Sequence, residues 1–587
     1  MTLIRGSRPR IKVILAALVL IAGVGGTALV APSPSTEVER QAQDQQPPVG
    51  QENQPSAAPK QTPAARAPKA ASYPIGGYFV FASPSSSRNT QKLSEIKTAG
   101  ADTVITFGTP LVPATLATIP KECVINGVNC AKAAAGALEV NRFFTYSDGS
   151  VWSSQAVKCP QDRRITSQGK AFVVLVLPAQ GSGCTSTNGK YDVVVAGGGT
   201  AAGVDPAASL ALAATKLGMK FYAGLPLPVK RTDKAYLPDV SYQGTLALFT
   251  ERFLQYQAAA NNVKGLAGFY HSTEMPVTDG HTFDPILDLY RMQNQAIHRI
   301  FPTRAAIISP YLDARVSAFG ISLTEARNGI RRIAQTASGL VLNIAIQDGM
   351  GTGKGGAFQS NEANSAVDRY AESIVGKGSW SSKYVAPIRD YFLAAAAGIS
   401  GTGAILWANL EGMAPATASN PCGDSLRGQS SKARIDRQLQ QLANAQKIIS
   451  FMWDSYYTCV GTGVPLKAQV ESGVATPIIT DATFDASTGQ VRITGFNLSG
   501  GNADVKWTTK GGQRLAKTVK PTSTNTAYGV QSGMNPELEM ILVNVGKTTL
   551  AAGRYYTVNV TNQWGAENDA FYSQRIYTAQ SSRGSKG

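Results

Sequence analysis

Four short phrases gather side chains that could carry out covalent chemistry. His271-Ser272-Thr273-Glu274, Ser309-Pro310-Tyr311-Leu312-Asp313, Gln347-Asp348-Gly349 and Trp407-Ala408-Asn409-Leu410-Glu411 each follow or end an apolar run. Two of them carry a glutamate. Cleavage of a glycosidic bond asks for such a pair, one carboxyl giving a proton to the departing oxygen and the other meeting the oxocarbenium-like carbon. Glu274 and Glu411 are the candidates for those two tasks. Around them, Asp348 either binds a sugar hydroxyl, orients a glutamate, or makes an ordinary Asp-Gly turn. Gln347 and Asn409 add amides for substrate binding, His271 either tunes Glu274 or packs, and Tyr311, Trp407, Trp453 and Tyr457 offer ring faces for sugars or for the core.

Other chemistries are narrowed by inventory. The chain has three histidines, His271, His281 and His298, too few for a His-rich metal centre and without an HExxH spacing, so no metal is expected. A run from Tyr191 into Gly197-Gly198-Gly199-Thr200-Ala201-Ala202 has the GxGxxA form of a dinucleotide-binding turn. The next helix, however, starts at Asp205-Pro206, well past the glycines, so its N-terminus does not sit where a pyrophosphate would be held. A glycine-rich hairpin is the expectation there, and no cofactor.

The elements that must position these phrases alternate. Apolar, β-branched runs at 75–82, 101–108, 220–225, 265–270, 305–309, 339–346 and 403–409 read as buried parallel strands, with helical stretches between them, and 448–457 is placed to complete a set of eight. Asp205-Pro206 caps one helix, which Gly218 ends. A further helix is expected over 434–447. Eight such units argue for a closed (β/α)8 barrel, in which functional groups gather at the C-terminal ends of the strands. The expected organisation is a signal peptide or signal anchor at 1–31, a Pro/Gln/Ala-rich linker at 32–72, the barrel at 73–462 with a disulfide-braced insertion at about 110–203, and an immunoglobulin-like β-sandwich at 463–587, where helices give way to short strands and turns.

Composition agrees with an exported globular protein. Hydrophobic residues make up 43% and charged residues 16% of 587, enough apolar material for large cores. Arg5, Arg8, Arg10 and Lys12 precede the apolar stretch 13–30, the pattern of an export signal, and an uncleaved anchor would be the only membrane contact. Six cysteines, Cys123, Cys130, Cys159, Cys184, Cys422 and Cys459, form an even set suited to disulfides; neighbours in sequence are the simplest pairing among fifteen. The net charge of +17 is spread along the chain without a basic run, which suits a diffusely basic surface meeting an anionic envelope glycan rather than a nucleic-acid groove.

The ordered phrases GFYHSTE, SPYLD, IQDGMG and LWANLEGM resemble those of secreted bacterial glycosyl hydrolases catalogued as a domain of unknown function, themselves similar to the large clan of retaining barrel glycosidases. The resemblance spans roughly 75–457. It implies an acid/base glutamate after strand four, which is Glu274, and a nucleophilic glutamate after strand seven, which is Glu411. The clan usually places Asn directly before the strand-four glutamate, where this chain has Thr273. The function so implied is a retaining glycosidase acting on an extracellular or cell-envelope polysaccharide; the alternative is a non-catalytic polysaccharide-binding or wall-organising surface protein.

Overall fold

The computed structural model describes residues 70–575 apart from 235, 318, 423, 548–549 and 551–553; the expected export segment and nearly all of the linker lie outside them. Eight strands close a parallel barrel in chain order: β1 (Gly77–Phe79), β2 (Thr103–Ile105), β3 (Lys220–Gly224), β4 (Leu266–His271), β5 (Ala305–Ile308), β6 (Leu342–Gln347), β7 (Ile405–Glu411) and β8 (Lys447–Phe451). Each strand sends one buried side chain into a shared interior cluster: Phe79, Ile105, Tyr222, Tyr270, Ile307, Ala345, Trp407 and Ile449. The opposite faces pack against helices, so the strands are apolar on both sides and read as unbroken hydrophobic runs.

Helices α1 (Ser86–Thr98), α2 (Pro206–Leu217), α3 (Gln243–Ala260), α4 (Asp284–Ile300), α5 (Leu323–Ala334), α6 (Ile388–Ile399) and α7 (Lys432–Leu439) form the outer layer. Their ends are written locally. Asp205 accepts from the amides of Ala207 and Ala208 at the start of α2, Gly218 ends it at φ 67°, and Ser322 with Glu325 makes a capping box on α5. Helix α7 is shorter than the expected 434–447, because the chain turns after Leu439, where Gln440 and Gln441 carry buried side chains bonded to neighbouring elements. Strand β8 likewise stops at Phe451, and Trp453–Tyr457 is a π-helical turn rather than strand.

The insertion is more ordered than its turn-rich sequence suggests. A six-stranded sheet runs in the order Leu227–Pro228, Pro110–Ala114, Glu139–Tyr146, Lys190–Thr200, Lys170–Pro178 and Arg163–Ser167. Val174, Val176, Val193 and Val195 build a separate small core with the Cys123–Cys130 disulfide, while the alternate residues Val173, Leu175, Leu177 and Val194 face the main core. Cys159 is bonded to Cys184, and Cys422 to Cys459. The glycine motif lies in a hairpin, in the strand Lys190–Thr200 that pairs antiparallel with Lys170–Pro178, and the register shifts between Gly197 and Gly199. A Cβ at Gly199 would come within 2.3 Å of the Gly149 carbonyl.

Beyond the barrel a helix returns at Leu466–Ser472, and Leu466 and Val470 are buried in the main core. Two four-stranded antiparallel sheets follow. One holds Ile478–Asp485, Gln490–Phe496, Glu539–Asn544 and Pro521–Asn525; the other holds Arg514–Val519, Asn502–Thr508, Tyr555–Thr561 and Ser573–Arg575. Ile479, Ile493, Val543, Val505 and Val558 from both sheets share one core.

Candidate active site

The loops leaving β4, β5 and β6 are laced together by the main chain. Tyr311 N–H donates to Met275 O at 3.1 Å, Val277 N–H to Tyr311 O at 2.9 Å, and Gln347 N–H to Pro310 O at 2.9 Å. Glu274, three residues past β4, is held from below because the Tyr290 hydroxyl donates to Thr273 O at 2.6 Å. Its carboxylate accepts from Gln347 Nε2 at 3.0 Å, and the same nitrogen donates to Ser309 O at 3.0 Å. Tyr311 stands beside this pair with Lys354 Nζ 4.3 Å above its ring. Deeper in the barrel, Asn409 Nδ2 donates to Ser309 Oγ at 2.9 Å, and Asn409 Oδ1 is buried without a hydrogen-bond partner among the described residues.

Glu411 ends β7, its side chain nearly sealed at 4% exposure yet gripped by the loop after β6. Thr352 donates twice to Oε2, from its backbone N–H at 2.7 Å and its hydroxyl at 3.1 Å. Gly351 allows that approach, since a Cβ there would lie 2.7 Å from Glu411 Cβ and 2.9 Å from Met413 O. Asp348 fixes the strand end from behind: Oδ1 accepts from Met350 N–H at 3.1 Å and Glu411 N–H at 3.3 Å, and Oδ2 from Gln438 Nε2 at 2.7 Å.

The three carboxyls differ electrostatically. Glu274 reaches solvent through the mouth, but protein around it raises its carboxyl above the usual range; Gln347, Lys230 and Arg427 offset part of that rise, and Glu411 adds repulsion. Burial pushes Asp348 up to about 7, with the charge of Glu411 as the second cause. Burial raises Glu411 as well, but Lys354, the Thr352 amide and Arg427 draw it back. Asp348 and Glu411 therefore titrate as a pair.

Of the eight residues expected to bind substrate, Tyr311, Gln347 and Asn409 gather near the two glutamates, Asp348 lies behind Glu411, and four others lie elsewhere. His271 points out of the barrel, with Nδ1 2.9 Å from Gln293 Oε1 and Nε2 2.7 Å from Asn294 Oδ1 on α4. Its end-of-strand position faces the helix layer because inward and outward residues alternate. Trp407 faces inward but two inward positions below Glu411, roughly 13 Å down the strand, packed against Tyr222 and under Lys447. Trp453 and Tyr457 stack on each other outside the strands with centroids 5.9 Å apart and wedge Tyr78 between their edges. Asp348, fully buried, is an internal brace rather than a sugar contact.

Several cleft residues had no signal in the sequence. Thr352 and Lys354 sit in a loop whose path no pattern reveals, and Lys230 follows the insertion's edge strand. Arg427 opens a short strand, Arg427–Gln429, paired with Met413–Pro415 just beyond Glu411. An aromatic wall was also missed. Phe81 is 54% exposed and lies 6.2 Å from Phe107, which is 5.8 Å from Phe451, itself 5.8 Å from Tyr456. Only their places just past or at the ends of β1, β2 and β8 would have drawn attention to them. Two cavities of about 210 and 520 Å³ lie in the insertion, around Gly197 and around Phe143, and neither is lined by a carboxylate.

Residues 186–465, covering β3 to β8 and all four phrases, match the family described as a domain of unknown function, DUF4434. That is the description the phrases indicated. No curated protein matches the chain. Among solved structures, a candidate α-L-fucosidase from Bacteroides thetaiotaomicron is 14% identical over 72% of this chain and 98% of its own, with a TM-score of 0.38. A maltogenic α-amylase from Thermotoga neapolitana is 10% identical over 80% and 96%, at a TM-score of 0.31. A β-L-arabinopyranosidase from Geobacillus stearothermophilus is 9% identical over 82% and 98%, at 0.26.

Proposed function

We propose that this chain is an exported glycosidase that cleaves an extracellular or cell-envelope polysaccharide with retention of configuration, Glu274 acting as acid/base and Glu411 as nucleophile. The observation that carries the reading is the pair of glutamates beyond β4 and at the end of β7 in unlike surroundings: one open to the mouth beside an amide, the other clamped by Thr352 and facing cations. In the first step a Glu411 oxygen bonds to the anomeric carbon as the glycosidic C–O bond breaks. The electron pair leaves with the departing oxygen, which takes the proton of Glu274. In the second, Glu274 takes a proton from water, the resulting oxygen bonds to the anomeric carbon, and the Glu411 carboxylate departs. Gln347, bonded to Glu274, and Tyr311 are in position to meet the sugar. The three disulfides fit an oxidising, extracytoplasmic setting. We read the two C-terminal sheets as an immunoglobulin-like sandwich that braces the barrel.

The test is turnover of purified Glu274→Gln and Glu411→Ala on envelope and capsular glycans. Each substitution is expected to lower kcat by roughly a thousandfold or more while leaving the thermal unfolding transition in place. Azide should partly restore the alanine variant by filling the vacated space and attacking the anomeric carbon. Undiminished hydrolysis by either variant overturns the assignment.

A further inference from the structure

The cleft is richer in positive charge than two catalytic carboxyls need. Lys230 and Arg427 bear on Glu274, Lys354 and Arg427 on Glu411, and among the described residues none of the three cations has a carboxylate oxygen within 4.0 Å. Lys354 is carried on the same loop as Thr352, which grips Glu411, and lies over Tyr311, whose neighbour Gln347 bonds to Glu274. Arg427 is steadied by the Tyr456 hydroxyl with Asp424 nearby. An acid Glu274 holds its proton when it works, which leaves Glu411 and Asp424 as the carboxylates that bear on Arg427. Tyr456 also ends the aromatic wall that runs from exposed Phe81 through Phe107 and Phe451, so an apolar ring-sized face adjoins the guanidinium.

We propose, on the reading of this cleft as a glycosidase site, that its glycan is acidic: a sugar ring lies along the Phe81–Tyr456 wall, and an anionic substituent is received by Arg427 and Lys354. The shared chemistry is a carboxylate or sulfate carried on the sugar. Either suits the planar donor fork of Arg427 with the point charge of Lys354 beside it. The same sign of charge across the whole molecule, +17, would gather such a polymer from solution.

The experiment uses the full chain with Glu274→Gln, so that oligomers stay intact, and measures binding calorimetrically for matched neutral, carboxylate-bearing and sulfated oligosaccharides on gluco and galacto backbones. One anionic set is expected to bind at least tenfold more tightly than its neutral partner, and which one does so identifies the substituent. Adding Lys354→Met or Arg427→Met should each remove about tenfold of that advantage, and raised salt should shrink it. Phe81→Ala should weaken charged and neutral ligands alike. Equal or tighter binding of the neutral sets, no binding of either anionic set, or an advantage that survives both substitutions overturns the inference. Turnover by the unaltered chain separates it from the reading it rests on. Preference for anions without cleavage would sink the hydrolase and keep the acidic ligand, and cleavage without preference would do the reverse.

Discussion

Thr352 shows how much of a reactive group's behaviour is set by a neighbour that no spacing rule would select. Its hydroxyl and amide both favour the ionised form of Glu411, so they pull the carboxyl down against the burial that raises it. Thr352→Val keeps the shape and the amide but loses the hydroxyl. Glu411 should then protonate at higher pH, and since the proposed nucleophile attacks as the carboxylate, the acidic limb of the pH–rate profile should move up, with roughly a tenfold drop in kcat at the optimum. An unmoved acidic limb would mean that another group governs it. The sequence made Glu274, Glu411, Gln347 and Asn409 visible because each ends or just follows an apolar strand. It did not show which way a residue turned, so His271 and Trp407, equally well placed along their strands, proved to face the helix layer and the barrel floor.

At the scale of elements, legibility followed burial. The eight barrel strands are covered on both faces and stand out as apolar runs, whereas Glu139–Tyr146 of the insertion sheet has several exposed side chains and a polar face, and passed for loop. The end of α7 was misjudged because buried glutamines there serve tertiary hydrogen bonds that periodicity does not record. The loop between β6 and its following helices is the element most tightly fitted to the candidate chemistry. Gly351→Ala would press a methyl against Glu411 and the Met413 carbonyl. The expected outcome is a stability loss of about 1–3 kcal/mol together with a fall in kcat of about a hundredfold from displacing the carboxylate. Circular dichroism melts and single-turnover rates would check both. A variant as active as the parent would show that the loop can yield.

Across the whole molecule, the barrel and the C-terminal sheets share structure that composition does not reveal. Leu466, Val470, Ile478, Phe496 and Leu538, all past residue 462, belong to the main core. Polar ties add to this: Lys432 on α7 bonds Asp436 and Asp569 at 2.7 Å each, Tyr73 bonds Asp436 at 2.5 Å, and Arg389 donates to Thr480 O at 2.9 Å. Burying each of those five side chains is worth roughly 1.5–3 kcal/mol, and their sum rivals the ~5–15 kcal/mol by which domains are stable. A chain ending at 462 is therefore expected to be recovered insoluble or to melt far below the full chain. A truncated barrel with the parent's melting temperature would refute that dependence.

The insertion's edge strand, Leu227–Pro228, is chain that leaves β3, and it pairs with Pro110–Ala114, which leaves β2. Two residues beyond Pro228 comes Lys230, one of the charges that lower Glu274. The proton affinity of Glu274 is thus wired to the integrity of the insertion sheet. If heat or mild reductant loosens that sheet and Lys230 drifts away, Glu274 should hold its proton to higher pH, and at low ionic strength the alkaline limb of the rate profile should climb before activity fails. The pH profile would then serve as a gauge of the insertion's folding, read at a distance from the strands that melt.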